Sequence, residues 1–325
     1  MRHYTNTELK RRHDDKYAAI DDALDFAMAD IDWKRRNEAE KSIVSWVNTY
    51  CIGLMLDDPP PEHGCEVLWE MANAVTGHSN YCILMARGSG KSSYVECVTL
   101  YALATGIQKF IVIVSNNARS ASNMLADIWR MVQEADTPFA HDYPELCLPF
   151  QHTNGAFRRR QLYKGKSTEL QKNSQQISFA RLTDDDGKEL PTSGSTIAVR
   201  GITSGIRGMK KGTMRPTLVL LDDLQDAETA ENPESVEKLL SLIRKDIMAL
   251  GGKQRLSILQ TATPIYPEDL VDHIKADVSW KTTTWPAVIK YPNDMSLWQQ
   301  YFKMFDAESV DDKPHTGSLA FYKKH

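Results

Sequence analysis

A short glycine-rich segment between an apolar run and a helix-like stretch constrains the fold of this chain more than any other feature. The apolar run covers residues 81–85, and residues 94–103 follow the segment with helical spacing. Two glycines let successive backbone N–H groups turn toward a polyphosphate, and a lysine followed by a serine can reach phosphate oxygens and Mg²⁺. The pattern predicts a strand, a phosphate-binding loop and a helix. The segment is Ala86 Arg87 Gly88 Ser89 Gly90 Lys91 Ser92 Ser93.

This segment, called here the phosphate loop (residues 86–93), departs from the usual spacing G-x-x-x-x-G-K-[ST]. Met85 stands where that pattern has its first glycine. A bare G-K-S is common by chance, but the strand before it and the helix after it supply the required context. We therefore predict that residues 87–93 bind ATP, with Lys91 on the β- and γ-phosphates and Ser92 on Mg²⁺.

A second motif consists of four apolar residues, 218–221, followed by Asp222 and Asp223. A strand buried in a parallel sheet would deliver Asp222 beside the phosphate loop, where it can hold Mg²⁺ through water together with Ser92. Asp223 could then polarise the attacking water. The alternative is a turn with two solvated aspartates.

Polar residues 260–264 follow the apolar strand predicted at 256–259 and precede a helix predicted over 267–274. Thr263 at this strand tip would face the γ-phosphate and could report its loss on hydrolysis. A threonine-rich turn that caps the following helix is the alternative.

Two arginines are candidates for charge stabilisation of the transferred phosphoryl group. Arg87 lies inside the phosphate loop and could touch the γ-phosphate in cis. Arg207 lies in a glycine-flanked loop, 203–208, and could serve a neighbouring subunit. A phosphate contact, a DNA contact or a surface salt bridge remains open for Arg207.

Alternating apolar strands and amphipathic helices predict an α/β fold of the P-loop NTPase (RecA/ASCE-like) class, with a mainly parallel central sheet flanked by helices. Two or three helices precede this core between residues 8 and 48. Residues 138–194 are expected to be loop-rich. A helix is predicted over 233–250, and strands are predicted at 110–114, 176–179, 196–199, 217–221 and 280–285.

Composition describes an ordinary globular protein of 325 residues, 42% hydrophobic and 25% charged, with a net charge of −4. The sequence contains neither an apolar run of the roughly 20 residues that span a membrane nor a signal peptide, so we expect an intracellular protein. Five scattered cysteines without a C-x-x-C pair argue against a disulfide framework and a zinc site.

Residues 151–215 carry 13 Lys and Arg against 5 Asp and Glu. The basic side chains of Arg158, Arg159, Arg160, Lys164 and Lys166 could bind DNA phosphates or remain solvated.

Taken together, these motifs resemble the ATPase domain of the large terminase subunit of tailed bacteriophages. The resemblance covers most of the chain and rests on A-R-G-S-G-K-S, on I-A-V-R-G leading to S-G-I-R-G, on L-V-L-L-D-D-L-Q and on T-A-T-P-I-Y-P-E-D-L. It implies an ATPase that drives double-stranded DNA into a procapsid, as a homo-oligomeric ring on a portal protein. It also implies a small terminase subunit as a partner, the host cell cytoplasm as the location, and an adenine pocket near residues 56–63.

The sequence departs from this family in two respects. The family usually carries glutamate where Asp223 stands, which leaves the identity of the catalytic base open. Large terminases also carry a C-terminal RNase H-like nuclease, and this chain ends about where that domain would begin. We therefore expect an ATPase domain over 1–280, a lid or linker over 281–325, a longer native protein and no nuclease activity.

Four acidic residues near the end are expected to be solvated linker charges. They are Asp306, Glu308, Asp311 and Asp312.

Two other functions remain open at this stage. A superfamily-two helicase would share the phosphate loop, the two aspartates and the T-A-T segment, but it needs a second RecA-like domain. Only 62 residues follow Thr263, fewer than the roughly 100 of a typical domain. A DNA-binding scaffold would bind nucleotide without turnover. A GTPase is disfavoured because no N-K-x-D motif follows the phosphate loop.

Overall fold

The structure is a computed structural model that describes residues 20–55, 60–153, 161–288, 291, 293–310 and 315–324. The chain divides into two compact units, Met1–Thr284 and Trp285–His325. None of the helices within the described ranges is both long enough and apolar enough to cross a membrane. The five cysteines are free thiols, and four of them are buried.

The first unit is built on an eight-stranded sheet with the strand order β10-β1-β9-β8-β2-β7-β6-β5. Strands β1, β9, β8, β2 and β7 are parallel to one another, whereas β6 is antiparallel to both of its neighbours, β7 and β5. This arrangement confirms the predicted α/β fold with a mainly parallel sheet. The strands are β1 (Asn80–Met85), β2 (Phe110–Ser115), β3 (Leu162–Tyr163), β4 (Lys166–Ser167), β5 (Gln171–Asn173), β6 (Gln176–Ser178), β7 (Thr196–Gly201), β8 (Leu218–Asp222), β9 (Ser257–Ala262) and β10 (Trp280–Trp285).

Helices cover both faces of this sheet, as parallel strands require. The helices of the first unit are α1 (Asp21–Ala29), α2 (Trp33–Ala39), α3 (Ile43–Tyr50), α4 (Glu62–Thr76), α5 (Lys91–Ala104), α6 (Ala118–Gln133), α7 (Pro138–Asp142), α8 (Pro144–Gln151), α9 (Ala227–Glu231), α10 (Pro233–Leu242) and α11 (Leu270–Ala276). Helices α4, α5 and α6 contact strands of the sheet directly. Apolar side chains of α10 and α11, among them Leu240 and Val271, form one core cluster with Val219 and Ile258 of the central strands.

The central strands β2 and β8 are buried along their whole length, which explains their continuous apolar sequence. Strand β9 lies between β1 and β8, so the phosphate loop and Asp222 emerge from strands that are one strand apart. All these loops follow the carboxyl ends of parallel strands and therefore meet at one edge of the sheet.

Three local expectations differ from the structure. The region predicted to be loop-rich contains α7 and α8, each of which begins with a proline that supplies the φ angle of a first helical residue. The helix predicted over 233–250 ends at Leu242 and passes into a π-helical turn, Ile243–Ile247. The helix predicted from 267 begins only at Leu270 because Asp269 is its N-cap residue.

The N-terminal helices are attached to α7 and α8 through buried charges. Asp142 is fully buried and accepts two hydrogen bonds of 2.6 Å from the guanidinium of Arg35 and one of 2.7 Å from the Tyr50 hydroxyl. Burial alone would raise the pKa of Asp142, but these hydrogen bonds and one from His141 hold it below its usual value. The acid is therefore ionised at neutral pH and fixes α2 and α3 to this region.

The second unit contains two helices, α12 (Met295–Val310) and α13 (Thr316–Lys324). The aromatic rings of Trp298 and Tyr301 on α12 contact Tyr322 on α13. Glu308 accepts a hydrogen bond of 2.6 Å from the Ser318 hydroxyl. The expectation of a purely solvated charge is therefore wrong for Glu308; Asp306 is exposed, and Asp311 and Asp312 lie outside the described residues.

Candidate functional site: a phosphate cleft

The phosphate loop connects the end of β1 to the start of α5. Gly88 and Gly90 have φ angles of +79° and +78°, which glycine adopts without steric cost. Two donors converge on the carbonyl oxygen of Ala86: the Ser89 hydroxyl at 2.7 Å and the Lys91 ammonium at 3.2 Å. The loop therefore closes on itself and leaves the amino-terminal N–H groups of α5 at its mouth, where an anion is favoured.

Asp222 is the last residue of β8 and is only 7% exposed. One of its carboxylate oxygens accepts a hydrogen bond of 2.9 Å from the Ser92 hydroxyl, and the other accepts one of 2.9 Å from Thr261 on the adjacent strand β9. Burial raises the pKa of Asp222 despite these two hydrogen bonds. Ser92 and Asp222 are hard oxygen donors in direct contact, which is the donor chemistry that Mg²⁺ prefers.

Asp223 follows the strand with a φ angle of +39°, in the left-handed region that non-glycine residues rarely adopt. Its N–H donates to the carbonyl of Thr261 at 3.1 Å. One carboxylate oxygen lies 3.3 Å from Nζ of Lys91, and the other accepts a hydrogen bond of 3.3 Å from the Thr263 hydroxyl. The strained backbone thus directs Asp223 toward both the phosphate loop and the segment after β9.

These loops enclose a cleft of about 940 Å³, called here the phosphate cleft. This volume lies within the usual range of ligand pockets. The cleft brings together five residues that the sequence predicted, namely Arg87, Ser92, Asp222, Asp223 and Thr263. Arg87 is exposed there, and within the described part of the chain it makes no hydrogen bond or ion pair.

Other predicted residues lie around or outside the cleft. Ser93 is half-buried in the first turn of α5 and does not line the cleft. Arg207 is also absent from its walls: its side chain is 75% exposed and its Nε lies 2.6 Å from the carboxylate of Asp246. Of the segment expected to form an adenine pocket, residues 56–59 lie outside the described residues, and α4 begins at Glu62.

Several cations of the basic segment 151–215 have partners within the protein. Lys164 lies 2.8 Å from Asp185, and Arg181 lies 3.0 Å from Glu169. Lys211 donates to the Thr196 hydroxyl at 3.1 Å, and burial lowers its pKa. Lys166 is exposed, whereas Arg158, Arg159 and Arg160 lie outside the described residues.

Sequence reasoning missed a polar contact at the wall of the cleft, made by Gln225. Gln225 donates a hydrogen bond of 2.7 Å to Asp269 and accepts one of 3.0 Å from the backbone of Leu270. Asp269 also accepts hydrogen bonds from the N–H groups of Ile265 and Val271, at 2.8 Å each. An aspartate directly before an apolar helix is an N-cap signal, but Pro267 suggested an earlier helix start.

Sequence reasoning also missed Glu96. It lines the phosphate cleft from α5 and is only 6% exposed. Burial, followed by the charges of Asp127 and Asp222, raises its pKa to about 8. The available signal was its spacing, because residues four apart on a helix share a face and Glu96 follows Ser92 by four.

Comparisons with known proteins gave structural matches only. No family model matches the chain, and no curated protein matches it. Among solved structures, the chain is similar to the HK97 bacteriophage large terminase, with 13% identity and a TM-score of 0.43 over 80% of this chain. It is also similar to the ATPase domain of the large terminase of Thermus phage P74-26, with 12% identity and a TM-score of 0.38 over 74% of this chain. The match spans 46% of the HK97 protein and 85% of the P74-26 domain.

Proposed function

We propose that this chain is an ATP-hydrolysing motor domain that drives double-stranded DNA into a viral procapsid. The observation that carries the ATPase part is the meeting of the phosphate loop with Asp222 and Asp223 in one cleft. The Ser92–Asp222 hydrogen bond and the Lys91–Asp223 ion pair join a phosphate-binding loop to two carboxylates at a strand end. P-loop ATPases need this combination for nucleotide binding and hydrolysis.

Ser92 and Asp222 would hold Mg²⁺ together with the phosphates of ATP. Bound there, the cation would neutralise charge that develops on the phosphate oxygens. The pair suits Mg²⁺, which protein sites usually bind through one or two carboxylates plus substrate phosphates.

The remaining side chains of the cleft have distinct roles in this proposal. When ATP binds, Lys91 leaves Asp223 and contacts the β- and γ-phosphate oxygens instead. Asp223 orients the attacking water and accepts its proton, while Arg87 stabilises charge on the γ-phosphoryl group. Thr263 touches Asp223 and thereby connects the reacting centre to the segment before α11.

The packaging part of the proposal rests on the sequence motifs that resemble large terminases. It assigns the chain a homo-oligomeric ring on a portal protein, a small terminase subunit as partner and the host cytoplasm as location. Packaging handles arbitrary DNA, so we expect backbone contacts whose affinity falls steeply with salt and depends little on base sequence. Because most described cations of segment 151–215 have internal partners, its exposed members, such as Lys166, are the candidates for these contacts.

Steady-state ATP hydrolysis, measured with and without duplex DNA, tests this function. The wild-type chain should hydrolyse ATP faster with DNA, and Lys91→Ala should lose nearly all turnover. Lys41→Ala is the matched control because Lys41 is an exposed lysine that pairs with Glu38 on α2, and it should behave like wild type. ATP binding without hydrolysis by the wild type would favour the scaffold function and contradict the proposal.

A further inference from the structure

Glu96 is a buried carboxylate that the roles assigned above do not use. It lies on α5, and within the described part of the chain it makes no hydrogen bond and no ion pair. Burying most of a carboxyl group is costly unless it is hydrogen-bonded or placed beside a cation, and the Glu96 side chain faces the phosphate cleft instead of a protein partner. The position therefore requires an explanation beyond packing.

The location of Glu96 indicates which cation it could serve. It follows Ser92 by one helical turn on the same face of α5, and both residues line the phosphate cleft with Asp222. The neighbouring helix α6 offers no free countercharge here, because Arg130 lies 2.5 Å from the carboxylate of Asp127. Glu96 thus places a carboxyl group next to the two groups that would hold Mg²⁺, and a cation bound there would favour the ionised form of that group.

We infer that Glu96 is a positioning residue for the divalent cation of the phosphate cleft. Its carboxylate contributes charge and a hydrogen-bond acceptor to the water shell that Mg²⁺ retains in protein sites. This inference rests on the proposed function. Glu96 acts through the cation and not on the attacking water, because it lies about 6 Å along α5 beyond Ser92, given a rise of 1.5 Å per residue.

The test is Mn²⁺ binding to the full chain in the presence of ADP. The concentration of free Mn²⁺ is measured by its electron paramagnetic resonance signal. Glu96→Gln keeps the shape of the side chain and removes the charge, and it should weaken Mn²⁺ affinity roughly tenfold. Glu96→Asp restores the charge on a shorter side chain and should recover part of that affinity. ADP affinity measured in excess chelator should be the same for all three proteins.

Asp127→Asn is the matched control, because it removes another carboxylate near Glu96 that is paired with Arg130. It should leave Mn²⁺ affinity within about twofold of wild type, because the adjacent guanidinium of Arg130 offsets most of the charge of Asp127. An equal loss in Asp127→Asn would mean that total charge matters, which would overturn a specific role for Glu96.

Two further outcomes separate this inference from the proposed function. Unchanged Mn²⁺ affinity in Glu96→Gln, while the wild type binds Mn²⁺ and ADP, would overturn the role of Glu96 alone. Failure of the wild type to bind ADP with Mn²⁺ would overturn both the inference and the proposed function.

Discussion

The ammonium of Lys91 and the carboxylate of Asp223 form an ion pair, with Nζ 3.3 Å from Oδ2. Lys91 is almost fully buried, whereas the side chain of Asp223 is 42% exposed. Because the Asp223 side chain reaches solvent, Lys91 can exchange this carboxylate for a phosphate chain without leaving either charge buried and unpaired. The same two groups that would act on ATP thus hold each other at the mouth of the phosphate loop.

We expect Asp223→Asn to lower kcat by roughly a hundredfold or more, because the amide cannot accept the proton of the attacking water. ATP affinity should stay equal or increase, since Lys91 loses a competing anion. Steady-state kinetics and equilibrium nucleotide binding measure the two effects separately. Asp223→Glu is the matched variant that keeps the carboxylate, and it should retain turnover; full activity in Asp223→Asn would remove Asp223 as the base.

The contact between Gln225 and Asp269 should contribute to stability as a unit. Gln225→Ala leaves the buried N–H of Leu270 without a partner and removes one hydrogen bond from Asp269, which should cost about 1–3 kcal/mol in the free energy of unfolding. Urea unfolding of Gln225→Ala, Asp269→Ala and the double variant should show effects that are not additive. Ser42→Ala removes a distant N-cap, that of α3, and should add independently to Gln225→Ala. Additive losses for Gln225 and Asp269 would contradict their coupling.

Glu96 should make the protein less stable as pH rises. Its pKa is raised from 4.5 to about 8 by burial and by the charges of Asp127 and Asp222, with Arg130 opposing. The folded state therefore binds more protons than the unfolded state between these values. Its contribution to the free energy of unfolding is fully present below pH 4.5 and is lost as pH approaches 8.

Unfolding of wild type and Glu96→Gln across this pH range measures that contribution. The variant should gain stability relative to wild type with increasing pH, by at most about 1.4 kcal/mol per pH unit. A difference that stays constant between pH 4.5 and 8 would show that the pKa of Glu96 is the same in both states.

Arg207 offers a test of action between subunits. Arg207 is exposed but its partner Asp246 is only 10% exposed, so Arg207→Ala leaves that acid unpaired and should lower stability modestly while ATP binding stays normal. If Arg207 serves a neighbouring active site, Arg207→Ala alone should lose turnover under conditions that form a ring. Mixing it with Lys91→Ala should restore part of the activity, because each variant supplies what the other lacks. If the mixture does not recover activity, or if Arg207→Ala alone is fully active, then Arg207 does not act on a neighbouring subunit and serves only in its salt bridge with Asp246.

The sequence predicted those parts of the site that follow from local pattern. The apolar runs of β1 and β8 and the polar residues after them identified Lys91, Ser92, Asp222 and Asp223, since strand ends of a parallel sheet converge. Gln225, Asp269 and Glu96 were missed because their importance depends on burial and on partners distant in the chain. The start of α11 was misplaced because a proline and an aspartate N-cap compete as signals within three residues.

A crystal structure of the chain with Mg²⁺ and a non-hydrolysable ATP analogue would test the central claim most directly. The account predicts phosphates at the amino terminus of α5, Lys91 moved from Asp223 to the β- and γ-phosphate oxygens, and the metal beside Ser92 and Asp222. A nucleotide bound elsewhere, with Lys91 still paired to Asp223, would contradict the assignment of this cleft as the ATPase site.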